Sequence, residues 1–327
     1  ALTHKRYGEH LSAYFGRRIK GIFTDEPSFK YGRPRTGDGT RLKLPYYDGI
    51  EEDYTEATGR NLRDDLSRAM HGEEVEGLWP AFYGLLGKQF RAAFFTPIRE
   101  WCDRYGMVST GHLMSEVPPI SSVNASGTPL ACLRGLSLPG IDEISTRVSF
   151  DRAVWGTLLL ERNATAKNGR GGLAELFALG PADMPFGKLR QMIWLAALHG
   201  VSEYVLAVSP LDARGNLIKR QYFTAFTQVQ TWFEQLPLLA EDSARAAEIA
   251  RAGFGPGVVI RYPWSLACED AGRNMLGQKG QARSGMLYQV AKALIGNRWP
   301  VRIIDEASPV PGDTLAVATI TAEAILL

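Results

Sequence analysis

The chain has 327 residues, of which 45% are hydrophobic and 22% are charged, which is enough to bury a globular core. Its formal net charge of +2 gives no argument for a nucleic-acid or membrane partner. No apolar run approaches the roughly 20 residues that a membrane-spanning helix needs. The three cysteines, Cys102, Cys132 and Cys268, lack the spacing of a zinc site or a disulfide framework.

The first strong pattern follows a polar helical stretch, Thr3 to Phe15, and is a short apolar run over residues 19–24. An apolar run bounded by breakers predicts a buried strand. Pro27 cannot donate a ladder hydrogen bond, so the strand should end before it. Asp25 and Glu26 therefore lie at the carboxyl end of the strand, where the catalytic residues of α/β barrels are found.

Helical and strand-like patterns alternate from there onward, which indicates βαβ units and a parallel sheet. The predicted helices cover residues 49–58, 61–70, 78–105, 129–136, 151–166, 186–199 and 219–252. The predicted strands cover residues 107–112, 141–145, 171–177 and 202–208. We expect Asn61 to cap its helix and Gly106 to end the long one.

The pattern changes after Phe254, where glycine and proline indicate a domain boundary. A strand over 257–260, a helix over 286–295 and a strand over 299–304 then predict the start of a second α/β unit. We therefore expect a barrel domain over residues 1–253 and a second domain over residues 254–327.

Counting backwards organises the first unit as a (β/α)8 barrel. If the strand over 202–208 is the eighth, the strand over 19–24 is the fourth, and strands one to three precede Ala1. The absence of an initial methionine and the apolar end at Leu327 agree with this count, so we expect a piece of a longer protein. Glu26 and Glu175 then occupy strands four and seven, as the two carboxylates do in many barrel glycosidases.

Two carboxyl groups are what glycoside hydrolysis requires. One must be protonated to donate to the leaving oxygen, and the other must be ionised to attack directly or to activate a water. Glu175 is a carboxylate in an otherwise apolar strand, which favours a function over surface charge. Glu26 could still be a structural cap, and the sequence leaves that alternative open.

Several segments resemble the α-L-rhamnosidases of glycoside hydrolase family 106. These are Gly21 to Phe29, Leu44 to Gly49, Thr110 to Leu113 with Glu116, Leu138 to Asp142, and Ala174-Glu175.

The resemblance implies an α/β barrel that removes terminal α-L-rhamnosyl residues with inversion, with a calcium ion near the substrate. It matches Glu26 and Glu175 to the catalytic pair, which we assign as general acid and general base. It also implies a flavodoxin- or amidotransferase-like second domain. Segments 134–138 and 209–215 depart from the pattern of the family.

Six further residues are predicted to bind substrate. Asp25 is an orienting partner of Glu26 rather than the proton donor. Only one of Asp142 and Glu143 can face the site, because side chains alternate along a strand. The six are Asp25, Tyr47, Asp48, His112, Glu116 and Asp142.

Each of these residues also has a structural interpretation. Tyr47 and Asp48 could pack their loop down instead of contacting a sugar. His112 could be a core histidine or a metal ligand, and Glu116 could bind calcium or lie in a solvated loop.

The sequence leaves three functions open. The first is an α-L-rhamnosidase acting on an oligosaccharide or glycoside. The second is a β-galactosidase-like glycosidase that retains configuration and uses the same carboxylate pair. The third is a barrel that binds carbohydrate without turnover. No nucleic-acid or membrane partner is expected, and the oligomeric state is not determined by the sequence.

Overall fold

The structure is a computed structural model of the chain. It describes residues 2–29, 44–143, 170–178, 180–207, 211–216, 218, 224–252, 255–277, 283–321 and 325–326. The helix predicted over 151–166 lies outside the described residues.

A curled sheet of five parallel strands forms the first part of an α/β fold. The strands are β1 (Gly21–Thr24), β2 (Val108–Gly111), β3 (Leu138–Glu143), β4 (Gly172–Leu176) and β5 (Val201–Leu206). They pair in chain order. All four pairings are parallel, so the acid-bearing carboxyl ends lie at one edge of the sheet. The five strands predicted from the sequence are thus confirmed, in the arrangement of part of a barrel.

Helices lie before, between and after these strands. They are α1 (Leu2–Leu11), α2 (Ile50–Thr58), α3 (Leu62–Met70), α4 (Leu78–Phe90), α5 (Thr96–Arg104), α6 (Pro119–Ser126), α7 (Pro129–Leu133), α8 (Phe186–Ala197) and α9 (Leu236–Arg251). The Asn61 side chain accepts from two backbone N–H groups of α3, which confirms the predicted cap. A π-helical segment, Arg91–Phe95, joins α4 to α5 within the predicted long helix.

Strand alternation separates a helix-covered face from an inner face. Ile141, Ala174 and Leu176 are buried in one apolar cluster with Leu189 and Ile193 of α8. Side chains one position away point to the opposite face. Asp142 and Glu175, which are register partners on β3 and β4, therefore share the inner face.

A second sheet contains β6 (Gly257–Arg261), β7 (Val301–Ile304), β8 (Thr314–Ile320) and β9 (Ile325–Leu326) in the order β7-β6-β8-β9. Two helices accompany it, α10 (Trp264–Met275) and α11 (Met286–Gly296). Ile260 and Leu287 of this unit share an apolar cluster with Phe95 and Leu133. The boundary predicted at residue 254 remains a prediction.

Two predicted stretches differ in the structure. The helix expected over 219–252 begins only at Leu236 in the part that the structure describes. Pro237 explains this start, since proline is tolerated in the first turn of a helix and disrupts its interior. Between the predicted strand over 107–112 and the predicted helix over 129–136, the structure contains an additional helix, α6, which begins at Pro119. Among the described helices, none combines the length and apolar character needed to cross a bilayer.

Candidate active site

Three of the predicted site residues meet at the carboxyl end of the first sheet. His112 Nε2 lies 3.0 Å from Glu175 Oε2 and 3.5 Å from Asp25 Oδ1. The three donor atoms lie within 4.8 Å of one another. Residues that follow β1 and β2 therefore reach a carboxylate on β4, because the sheet curls.

The backbone of β1 and β2 sets the position of His112. The Thr24 carbonyl oxygen accepts from the His112 N–H at 3.3 Å. Gly111 adopts a φ of +137°, where a Cβ would overlap the Thr24 carbonyl oxygen. The Phe23 ring packs edge-on against the imidazole, with ring centroids 5.5 Å apart. A glycine at position 111 is thus required for the two strand ends to approach.

The His112 ring is held through one nitrogen. His112 is fully buried, whereas Glu175 is partly exposed and Asp25 is mostly exposed. Both neighbours of Nε2 are carboxylates, which accept hydrogen bonds when ionised, so we assign the proton to Nε2. In the part of the chain that is described, Nδ1 has no hydrogen-bond partner. His112 therefore fixes the Glu175 carboxylate by donating to it.

Asp142 lies beside this cluster as an unusually basic carboxyl group. Burial, opposed by the His112 ring and reinforced by Glu175, Glu26 and Glu143, raises the pKa of Asp142 to about 7. Its Oδ1 is buried and has no hydrogen-bond partner among the described residues. A proton can therefore reside on this group near neutral pH, as glycoside hydrolysis requires of one carboxyl group.

Glu26 follows Asp25 in a left-handed backbone conformation, with a φ of +44°. Such a conformation is uncommon for a residue with a side chain and is found at functional sites. The charge of Glu26 contributes to the raised pKa of Asp142, so Glu26 faces the same end of the sheet. Glu143, by contrast, is buried. That only one acid of this pair faces the site remains a prediction.

Glu116 lies beneath the site rather than in the opening. It is 5% exposed, and its carboxyl oxygens accept from the backbone N–H groups of Leu113 at 3.4 Å and of Asp142 at 3.1 Å. Burial is the main cause that raises the pKa of Glu116 well above its ordinary value. This carboxyl group contacts the backbone beside two site residues.

Tyr47 and Asp48 are not brought into the cluster by any contact recorded among the described residues. The Tyr47 hydroxyl donates to Asp53 at 2.7 Å, and its ring packs against the apolar cluster of α2 to α4. Asp48 is exposed. Their role in substrate binding remains a prediction.

One aromatic side chain near the site, Phe23, was not predicted from the sequence. Phe23 is 38% exposed on the inner face, two residues before Asp25 and in contact with the His112 ring. Its signal was the alternation of β1, because residues two apart share a face. An exposed ring in this position could stack against a sugar.

The Asp25, His112 and Glu175 donors could hold a metal ion. Calcium prefers six to eight oxygen ligands, whereas this cluster offers one imidazole nitrogen and two carboxylates. Mixed nitrogen and carboxylate donors suit zinc better than calcium. The described cluster by itself does not fit calcium, and the calcium ion remains a prediction of the resemblance.

No protein-family model matches the chain, and no curated protein matches it. Solved structures do. A rhamnosidase from Novosphingobium sp. PP1Y superposes with a TM-score of 0.60 at 13% identity, over 93% of this chain and 27% of that one. A β-galactosidase from Rahnella sp. R3 gives 0.62 at 12% identity, over 97% and 49%. A GH42 β-galactosidase, Gan42B, gives 0.57 at 12% identity, over 93% and 47%.

The chain therefore spans about a quarter to a half of the length of these proteins. At such low identity the similarity shows the fold alone. The chain has the α/β fold of barrel glycoside hydrolases, with acidic residues at the carboxyl ends of its strands.

Proposed function

We propose that this chain carries the active site of a glycoside hydrolase that removes terminal α-L-rhamnosyl residues from glycans or glycosides. Glu26 is the general acid and Glu175 is the general base. The observation that carries the proposal is the convergence of β1 and β4, through His112, on one end of the sheet. Acids on the first and fourth described strands thereby face a common opening.

The chemistry of the groups supports these roles. His112 donates to one oxygen of Glu175, which leaves the other oxygen free to accept a proton from an attacking water. Glu26 is one of the acids that contribute to the raised pKa of Asp142, which places the two carboxyl groups in the same acidic surroundings. Asp25 and Asp142 then contact the sugar hydroxyls, the buried His112 orients Asp25 and Glu175, and the exposed Phe23 ring offers an apolar surface.

The second candidate is a β-galactosidase-like glycosidase that retains configuration. Two of the three similar structures are β-galactosidases, and they match the larger shares of their own lengths. In this reaction Glu175 attacks the anomeric carbon directly and a covalent sugar forms on it. The same side chains serve both reactions, so the sugar and the stereochemistry distinguish them.

The test measures hydrolysis of aryl α-L-rhamnosides and aryl β-galactosides by the intact protein. We expect turnover of the rhamnoside with inversion, observed by proton NMR of the first product anomer. Glu26→Gln and Glu175→Gln should each lower kcat by about 10²–10⁴-fold, since each removes a proton-transfer group.

Glu306→Gln is the matched control, because Glu306 also follows a parallel strand but accepts from Ser265 in the first turn of α10. Its kcat should equal that of the unaltered protein. Near-normal turnover of the rhamnoside by Glu175→Gln would refute the assignment. Retained configuration with preference for the galactoside would support the second candidate, and sugar binding without turnover would support a non-catalytic barrel.

A further inference from the structure

The backbone ladder between β2 and β3 is short. Only Thr110 with Leu138 and Gly111 with Pro139 are in register, and the pairing ends there. Pro139 has no N–H group to donate. Beyond that point β3 continues through Asp142 to Glu143, paired with β4 on its other side. The site ends of β2 and β3 therefore need another connection.

Glu116 supplies that connection. One carboxyl oxygen accepts from the N–H of Leu113, the residue after His112, and the other accepts from the N–H of Asp142. A single side chain thus joins the two strand ends beyond the last register pair of β2 and β3. Ser122 of α6 donates to the Glu116 carbonyl oxygen and fixes the backbone of the same residue.

The surroundings of Glu116 favour its uncharged form. Asp142 and Glu143 of β3 are the carboxylates that face it, and the phenol of Tyr288 on α11 lies close enough to interact with it electrostatically. The nearest donors are the two backbone N–H groups, and among the described residues no Arg or Lys forms an ion pair with it. The two backbone N–H groups oppose this rise of the pKa, because hydrogen bonds to the carboxyl oxygens favour the ionised form.

We propose that Glu116 is a positioning residue whose two carboxyl oxygens replace the missing part of the β2–β3 ladder and so orient His112 and Asp142. It does not touch the substrate and acts through its two backbone contacts. The effect on catalysis rests on the proposed function, whereas the effect on His112 does not. The two can therefore be tested separately.

Glu116→Gln and Glu116→Ala remove the two contacts in steps. Glutamine keeps one acceptor oxygen but places an NH2 donor against the other backbone N–H, so it should shift the His112 imidazole NMR signals and lower kcat, each by less than alanine does. Alanine removes both acceptors. It should move the His112 signals and lower kcat by about tenfold or more, with a smaller change in KM. The chain has five histidines, so the His112 signals can be assigned by substitution.

Leu130→Ala is the control for lost stability, because Leu130 is buried in the same apolar cluster as Leu113. It should destabilise the protein without moving the His112 signals or the pH profile of kcat. The proposal is overturned if Glu116→Ala leaves the His112 signals as Leu130→Ala does.

The readouts remain decisive if part of the experiment fails. If Glu116→Ala does not fold, shifted His112 signals in Glu116→Gln support the proposal and unchanged signals refute it. If the unaltered protein hydrolyses no glycoside, the proposed function fails, while the His112 signals still decide the role of Glu116.

Discussion

Both sheets of this chain carry acids that directly follow parallel strands, but the acids have different partners. In the second sheet, Asp305 and Glu306 follow β7. Asp305 forms an ion pair with Arg134, and Glu306 accepts from the backbone N–H of Ser265 at 3.1 Å and from its hydroxyl at 2.5 Å. Glu306 thereby caps α10, where a carboxylate is favoured by the helix dipole.

The acids of the first sheet lack such partners. Among the described residues, no Arg or Lys forms an ion pair with Asp25, Glu26, Asp142 or Glu175. The buried imidazole of His112 is shared by two of them, and mutual repulsion contributes to the raised pKa of Asp142. An acid that follows a parallel strand is therefore no evidence of a site until its partners are known. Crowding without cations is what distinguishes the first sheet from the second.

The largest expected effect comes from the backbone that creates the crowding. Gly111→Ala places a Cβ against the Thr24 carbonyl oxygen at a φ of +137°, so β1 and β2 must separate. Strain and overlap should together lower the free energy of unfolding by about 3 kcal/mol or more. Urea denaturation measures this change, and any folded protein that remains should lose activity because Asp25 moves away from His112.

Gly187→Ala in α8 is the matched control, since a Cβ there meets nothing within 4 Å. Its free energy of unfolding should change by less than about 1 kcal/mol. If the two substitutions lowered the free energy of unfolding equally, the close approach of β1 to β2 would not depend on glycine at position 111.

The second prediction concerns the pH dependence of stability. The folded pKa of Asp142 is about 7, above its ordinary value of 3.8, so the folded state binds more protons than the unfolded state between these values. Asp142 therefore makes the protein less stable as pH rises from about 4 to 7, with no further change above that. Asp142→Asn should remove this decline, measured as urea midpoints at a series of pH values.

Asp242 gives the contrasting case. Arg190 donates to its carboxylate and lowers the pKa of Asp242, so its contribution to stability is present above its ordinary pKa and is lost as pH falls through the lowered value. Asp242→Asn should destabilise the protein at neutral pH. If Asp142→Asn instead lowered stability at neutral pH as Asp242→Asn does, Asp142 would have a stabilising partner. The proposed difference between the acids of the two sheets would then be wrong for Asp142.

Local patterns in the sequence predicted the strands and the acids at their ends, because burial, alternation and Pro27 act over a few residues. The meeting of His112 with Glu175, 63 residues later, depends on the curl of the whole sheet. The sequence could nominate both residues but not bring them together. Alternation also indicated that only one of Asp142 and Glu143 faces the site.

Other features depended on distant segments. Glu116 is buried between the strand ends and the second unit, close to Tyr288. No local sequence pattern predicts burial by a segment so distant in the chain. The partners of Glu306 are equally remote in sequence, because Ser265 lies 41 residues before it. An isolated Asp-Glu pair therefore gave the same sequence signal in a candidate site and in a helix cap.

The smallest expected effect concerns the hydrogen bonds of Glu306, the partnered acid of the second sheet. Ser265→Ala removes the hydroxyl that donates to Glu306 but keeps the backbone N–H contact. The free energy of unfolding should fall by about 0.5–1.5 kcal/mol, the usual contribution of one hydrogen bond, and kcat should not change. Urea denaturation and the glycosidase assay measure the two quantities. A loss of kcat would show that the cap of α10 also supports the first site, because α10 packs against α6, which follows Glu116. The acids that follow the strands of both sheets would then contribute to catalysis, and Glu306 would be more than a helix cap.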